Sequence, residues 1–108
     1  MSQFNEREKA FEAKFVHDEE LNFKVMARRN KLLGLWAAEK MGMGPAESQD
    51  YAAEVVKADF EEAGDEDVYR KVKGDLDAKH IDLSEHQVRR EMEEQLIEAK
   101  RQVMEEGE

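Results

Sequence analysis

The sequence predicts an all-α protein, a four-helix bundle preceded by a mobile, conditionally helical N-terminal segment. Three observations carry this. Apolar residues recur at intervals of three and four along most of the chain, the signature of amphipathic helices. No segment alternates apolar and polar residues for long, and no Asn-Gly or Asp-Gly pair marks a hairpin. There is one proline in 108 residues, and helix-forming residues dominate the rest. Mean hydropathy is −0.89 and 41% of residues are charged, but 40% are hydrophobic, enough for one modest core.

The first bundle helix is expected over 19–42. Asp18 is placed to cap it, and Glu19 and Glu20 suit its positive end. Leu21, Val25, Leu32, Leu35 and Trp36 share a face, with Phe23, Met26 and Leu33 broadening it; Trp36 is expected in the core. Gly42 and Gly44 end the helix, and Pro45 stops its continuation. The second helix is expected over 46–62, where Tyr51, Ala52, Val55, Val56 and Phe60 recur at helical spacing, with Gly64 as its stop. Asp65 then caps a third helix over 66–79 that carries Val68, Val72 and Leu76, and Gly74 weakens it by about 1 kcal/mol relative to alanine. His80 to Leu83 form a short connection. Ser84 and Gln87 make a capping box for the fourth helix, along which Val88, Met92, Leu96, Ala99 and Val103 follow at helical intervals. Gly107 lies beyond it. Amphipathic helices joined by short connections pack as an antiparallel bundle.

Residues 1–17 do not fit that bundle, which is assigned to 18–108. Phe4, Phe11 and Phe15 fall on one stripe, but the residues between them are densely charged. No glycine precedes Gly34, so a continuous rod from Asn5 into the first bundle helix is also compatible with the sequence. Pairs such as Glu6–Lys9 and Lys14–Asp18 contribute only ~0.2–0.5 kcal/mol each, and an isolated helix of this length is marginal in water. Burying three phenylalanines contributes roughly 5–9 kcal/mol, less than the cost of ordering the segment at ~1–2 kcal/mol per residue. The segment is therefore expected to be mobile when free and to order where a partner adds contacts.

Charge and composition exclude several functions. The net charge is −10, unevenly placed: residues 1–31 hold seven Lys/Arg against six Asp/Glu, and residues 32–108 hold ten against twenty-one. An acidic body disfavours nucleic acid and anionic membranes as partners. The absence of cysteine removes disulfides and thiolate chemistry. No apolar run approaches the ~18 residues of a membrane span, so no direct membrane insertion is expected, and the first residues lack a signal-peptide core; the cytoplasm is the expected compartment.

No residue volunteers for catalysis, and neither a metal nor a cofactor is expected. His17 and Asp18 are adjacent on a helix and do not face each other. His80 and His86 flank a turn without zinc-ligand spacing. The acidic group Glu61, Glu62, Asp65, Glu66 and Asp67 lacks the ligand order of a calcium loop and reads as caps around a solvated turn. Gly42-Met-Gly44-Pro45 is too short to cradle phosphate. The basic run Arg28-Arg29-Asn30-Lys31 fits equally well a solvated face whose stems cover the core edge and a secondary contact for an acidic partner. The Phe4–Phe15 stripe divides as evenly between core and partner contact.

Phe4-Asn-Glu-Arg-Glu-Lys-Ala-Phe-Glu-Ala-Lys-Phe15, His17-Asp-Glu-Glu-Leu21, Ala27-Arg-Arg-Asn-Lys-Leu-Leu-Gly34 and Trp36-Ala-Ala-Glu39 closely resemble the zeta subunit of alphaproteobacterial F-type ATP synthases. Val55-Val56, Asp59-Phe60-Glu-Glu62 and Gly64-Asp-Glu-Asp-Val68 resemble that family's middle section. The fourth helix is similar in pattern more than in identity, and Val16 stands where the family leads one to expect alanine. The resemblance implies an inhibitor rather than an enzyme. Its N-terminal segment would enter a catalytic interface of the head, made of alpha, beta and gamma subunits, become helical there, and stop rotation in the hydrolytic direction. Carried over residue by residue, the contacts would be Phe4, Arg7, Glu8, Lys9, Phe11, Glu12, Lys14, Phe15 and His17, with Arg28, Arg29 and Lys31 secondary. The resemblance implies residence at the cytoplasmic face of the membrane-bound synthase. The rival readings are an adaptor or chaperone-like protein that holds clients with the amphipathic arm, and a small helical enzyme, which would need a concave pocket of convergent polar groups.

Overall fold

The computed structural model describes residues 3–59 and 65–106, and side chains from residue 6 onward within the first helix. Five helices account for it: α1 Gln3–His17, α2 Glu19–Lys40, α3 Pro45–Ala58, α4 Glu66–Ala78 and α5 Glu85–Glu106. There is no strand among the described residues. Helix α2 is the central element, packed chiefly on α3 and α5 and touching α1 and α4.

The helix ends follow local chemistry. Asp18 leaves the helical region at φ −107°, ψ 106°, and its Oδ1 accepts from the N–H groups of Glu20 and Leu21 at 3.0 and 3.1 Å. This cap starts α2 and separates it from α1, so the continuous rod compatible with the sequence does not form. At the far end of α2, Gly42 takes φ 77°, its N–H reaches Glu39 O, and Met43 N–H reaches Ala38 O, a Schellman closure. Helix α4 closes in the same way, but with His80 at φ 61° in the glycine-favouring position; His80 N–H reaches Asp77 O and Ile81 N–H reaches Leu76 O, both at 2.9 Å. The capping box of α5 is present, with Gln87 N–H on Ser84 Oγ at 3.1 Å and Ser84 N–H on Gln87 Oε1 at 2.9 Å.

Three boundaries or caps differ from expectation. Helix α2 ends at Lys40 rather than 42, and α3 ends at Ala58 rather than 62. The expected roles of Phe60, Glu61, Glu62 and Gly64 lie outside the described residues. Asp65 occupies the N-cap of α4 without making a side-chain cap; its Oδ1 accepts instead from Arg29 Nη2 at 2.9 Å. A charged donor from α2 outcompetes the local amide for that carboxylate.

The main core lies between α2, α3, α4 and α5. Leu33, Val55, Val68, Val72, Leu76 and Val88 are fully enclosed, with Tyr51 and Met92 nearly so. Tyr51 hydroxyl donates to Asp75 Oδ2 at 2.8 Å, and Lys71 bridges Glu54 and Asp75, which pins α3 to α4. Burial and the neighbouring Asp75 carboxylate push the Tyr51 phenol well above its usual range.

The buried face of α2 is rotated from the expected one. Its enclosed residues are Val25, Arg29, Asn30, Leu33, Gly34, Ala37 and Ala38, whereas Leu32, Leu35 and Trp36 are only half-buried at the rim. The reason is close packing of backbones. A Cβ on Gly34 would stand 2.7 Å from Ala52 Cα, so α3 approaches α2 along its small residues. The large side chains are displaced to the flank, and Trp36 packs against the edge of the main core without being enclosed in it. Arg29 Nε donates to Asn30 Oδ1 at 2.7 Å within this enclosed stripe, while Asn30 Nδ2 has no partner among the described residues.

Candidate protein-interaction surface

The N-terminal segment is helical and lies against the bundle, although its charge density argued against docking there. Phe11 and Phe15 are one turn apart and project into a second apolar cluster built on Val25 of α2 and Ala99 and Val103 of α5, flanked by Leu21, Leu32 and Leu96. The charge density that argued against docking is accommodated because only this narrow stripe faces the bundle. Glu6, Arg7, Glu8, Lys9, Glu12, Lys14 and His17 all remain exposed. The side chain of Phe4 lies outside the described residues.

Few polar contacts hold α1 in its seat. Lys100 Nζ of α5 makes an ion pair with Glu12 Oε1 at 3.1 Å and stands 4.6 Å from the centre of the Phe15 ring. Arg7 Nη2 donates to the Met104 carbonyl across a long 3.5 Å. Gaps flank Phe11 on both sides, about 140 Å³ toward Leu21 and Val103 and about 240 Å³ toward Ile97 and Lys100. Rings that are half-buried beside gaps give up part of the dispersion contact available in a close-packed core. Together the half-buried Phe11 and Phe15 rings contribute about 2–3 kcal/mol.

The basic run of α2 is divided by the fold. Arg28 reaches α5, where its guanidinium makes two hydrogen bonds to the Glu106 carboxylate at 2.7 and 2.8 Å and one to Gln102 Oε1 at 2.8 Å. The hydrogen bond with Glu106 raises Arg28 above its ordinary pKa, and the same bond lowers Glu106 below the usual carboxylate range. Arg29 is 1% exposed and committed to Asn30 and Asp65, which corrects its placement among the secondary partner contacts. Lys31 is exposed. Of the three, Lys31 alone presents its charge without an ion pair among the described residues.

Two surface concavities accompany these features. One, about 350 Å³, sits at the α1–α2 junction and is lined by Val16, Asp18, Phe23, Met26, Asn30 and Asp59 among others. The other is an open groove along Leu32, Leu35, Trp36, Met43 and Pro45. The expectation of a solidly packed bundle thus describes the main core and not the surface. Among the described residues no group of three or more His, Asp or Glu converges as a metal site, and no helix is long and apolar enough to cross a membrane.

The model of one protein family, ATPase inhibitor subunit zeta, matches residues 1–102 of the chain. The chain belongs to that family. The match takes in α1 and most of the bundle together. A chain with a solution NMR structure is 57% identical; the similarity covers 80% of this chain and 98% of that one, with a TM-score of 0.71. No curated protein matches the chain significantly. Membership in the zeta family supports a role as an ATPase inhibitor and an interaction with ATP synthase.

The residues that seat α1, above all Lys100 and Met104, escape sequence reasoning. They lie some 90 positions from their partners, and nothing in the periodicity of α5 distinguishes Lys100 from the other cations on that helix. Arg28 was legible as a basic group but not as the partner of Glu106.

Proposed function

We propose that the chain inhibits ATP hydrolysis by an F-type ATP synthase by placing its N-terminal segment, as a helix, in a catalytic interface of the head and blocking rotation in the hydrolytic direction. The observation that carries this reading is that the zeta-family match begins at residue 1 and so includes α1. The form of α1 supports it. The segment takes up a helix of fifteen residues, keeps its charged residues exposed and meets the bundle through a thin, gapped contact. A helix held this weakly is available to a partner that offers more buried area.

In this reading Phe4, Phe11 and Phe15 are apolar anchors on alpha, beta and gamma subunits of the head. Arg7, Lys9 and Lys14 pair with acidic groups there, Glu8 and Glu12 with basic ones, and His17 ends the contact. Residues 18–108 form the supporting bundle. Lys31 is an additional contact, while Arg28 would first have to leave Glu106. The chain carries out no bond chemistry; it is a wedge in a machine that must change shape to turn over. Its place is the cytoplasmic face of the synthase.

The test is steady-state ATP hydrolysis by the cognate F-type head as the full-length protein is titrated in. Hydrolysis should fall along a saturable curve. Phe11→Ala should raise the half-inhibitory concentration by ten-fold or more, because truncating a central aromatic anchor costs about 2 kcal/mol. Hydrolysis unchanged by an excess of full-length protein would overturn the reading.

A further inference from the structure

Lys100 is in contact with two α1 residues at once. Its ammonium is 3.1 Å from Glu12 Oε1 and 4.6 Å from the centre of the Phe15 ring. Its side chain is 23% exposed, so its aliphatic stem is largely covered while the ion pair itself stays at the surface. The only other polar contact between the described side chains of α1 and α5 is the long bond from Arg7 to the Met104 carbonyl. The apolar part of the contact is two half-buried rings, with gaps on both sides of Phe11. A single side chain therefore supplies the short-range polar fixation of a helix that is otherwise weakly seated.

The residues it fixes are ones the proposed interface needs. With α1 docked, Phe11 and Phe15 are turned toward Val25, Ala99 and Val103, and the Glu12 carboxylate is paired. While they occupy that seat, the inward faces of the two rings are covered and Glu12, though exposed, is engaged by Lys100. The seat on α2 and α5 and the partner's interface compete for one face of one helix. The break at Asp18 is the natural pivot, since its cap on Glu20 and Leu21 belongs to α2 and survives when α1 leaves.

We propose that Lys100 is an autoinhibitory latch: it holds α1 against the bundle, keeps Phe11, Phe15 and Glu12 from the partner, and sets how readily the segment is released to bind. This rests on the reading of α1 as the partner-binding segment. The energetics suit a latch rather than a permanent tie. A part-exposed ion pair and a cation–π contact are each modest, so their loss changes a docking equilibrium about three- to ten-fold. The ion-pair part weakens with added salt.

The test uses the full chain with Lys100→Ala and Lys100→Arg, in two arms. The first needs no ATPase: NMR relaxation of the α1 amides and of the Phe11 and Phe15 rings reports docking. Lys100→Ala should increase the undocked population about five-fold with the signals of α3 and α4 unchanged, and Lys100→Arg should restore docking. The second arm measures association with the F-type head and inhibition of hydrolysis. Lys100→Ala should bind about three- to ten-fold faster and inhibit at correspondingly lower concentration. Unchanged α1 relaxation in Lys100→Ala overturns the latch, as does a released α1 that binds no faster than wild type. If wild type and variants all fail to inhibit while the NMR arm behaves as expected, the reading of α1 as an ATPase inhibitor fails, and Lys100 stands as a docking contact alone.

Discussion

The two apolar clusters of this molecule are built to different standards. Between α2, α3, α4 and α5, side chains from every helix are enclosed: Leu33, Val55, Val68, Val72, Leu76 and Val88 are all at 0% exposure. Between α1, α2 and α5, only the bundle's contributions, Val25, Ala99 and Val103, are enclosed; Phe11 and Phe15 on α1 are half-buried, and gaps flank Phe11. The bundle therefore closes its own surface and treats α1 as a cover. A cover can be lifted without opening the core, and the proposed handover of α1 to a partner needs that separation.

The largest effect should come from a substitution that tests the asymmetry directly. Leu33→Ala removes a fully enclosed side chain and should lose about 3 kcal/mol in urea unfolding. Phe11→Ala removes a larger side chain, yet should lose only about 1 kcal/mol, because a half-buried ring has less to forfeit. Equal losses would show that α1 is part of the cooperative core and erase the distinction.

Gly34→Ala sharpens the comparison from inside the bundle. The added Cβ would meet the Ala52 backbone at 2.7 Å, and backbone cannot swing aside. Overpacking of this kind costs about 1–3 kcal/mol and outweighs alanine's better helix propensity. Hydrogen exchange should speed up in α2 and α3 ahead of α1. A stabilised variant would mean that the two helices stand further apart than described.

A smaller effect, of opposite sign, is expected at the end of α4. His80 holds the left-handed conformation at φ 61° that suits glycine, at a cost of roughly 1 kcal/mol for a residue with a Cβ. His80→Gly should raise bundle stability by up to about that amount in the same urea experiment and leave inhibition unchanged. Loss of stability would mean that the imidazole makes a contact that matters more than its backbone strain.

Much of this fold was legible because it is written in local signals. The caps at Asp18 and Ser84 with Gln87, the glycine stop at Gly42 and the periodicity of Val68, Val72 and Leu76 act within a few residues, and each is where the sequence puts it. What failed depends on neighbours distant in the chain. Trp36 reads as core from its hydrophobicity, but Gly34, Ala37 and Ala38 bring α3 close and leave the indole at the rim. Arg29 reads as a surface cation, but Asp65 draws it into the enclosed stripe. The docking of α1 depends on Lys100 and on a narrow apolar stripe, and the segment's overall charge density conceals both. The aromatic stripe itself was visible as an amphipathic face, and the family match spans it.

The most direct test compares the full chain with a protein lacking residues 1–17, measuring urea stability and inhibition of the cognate F-type ATPase on the same preparations. The truncated protein retains the Asp18 cap, the main core and the α5 capping box. Its stability should remain within about 1 kcal/mol of the full chain, as for loss of a weakly held terminus, and its inhibition should disappear. A truncated protein that still inhibits as strongly as the full chain would contradict the account and place the active surface in the bundle, with Lys31 the first residue to test.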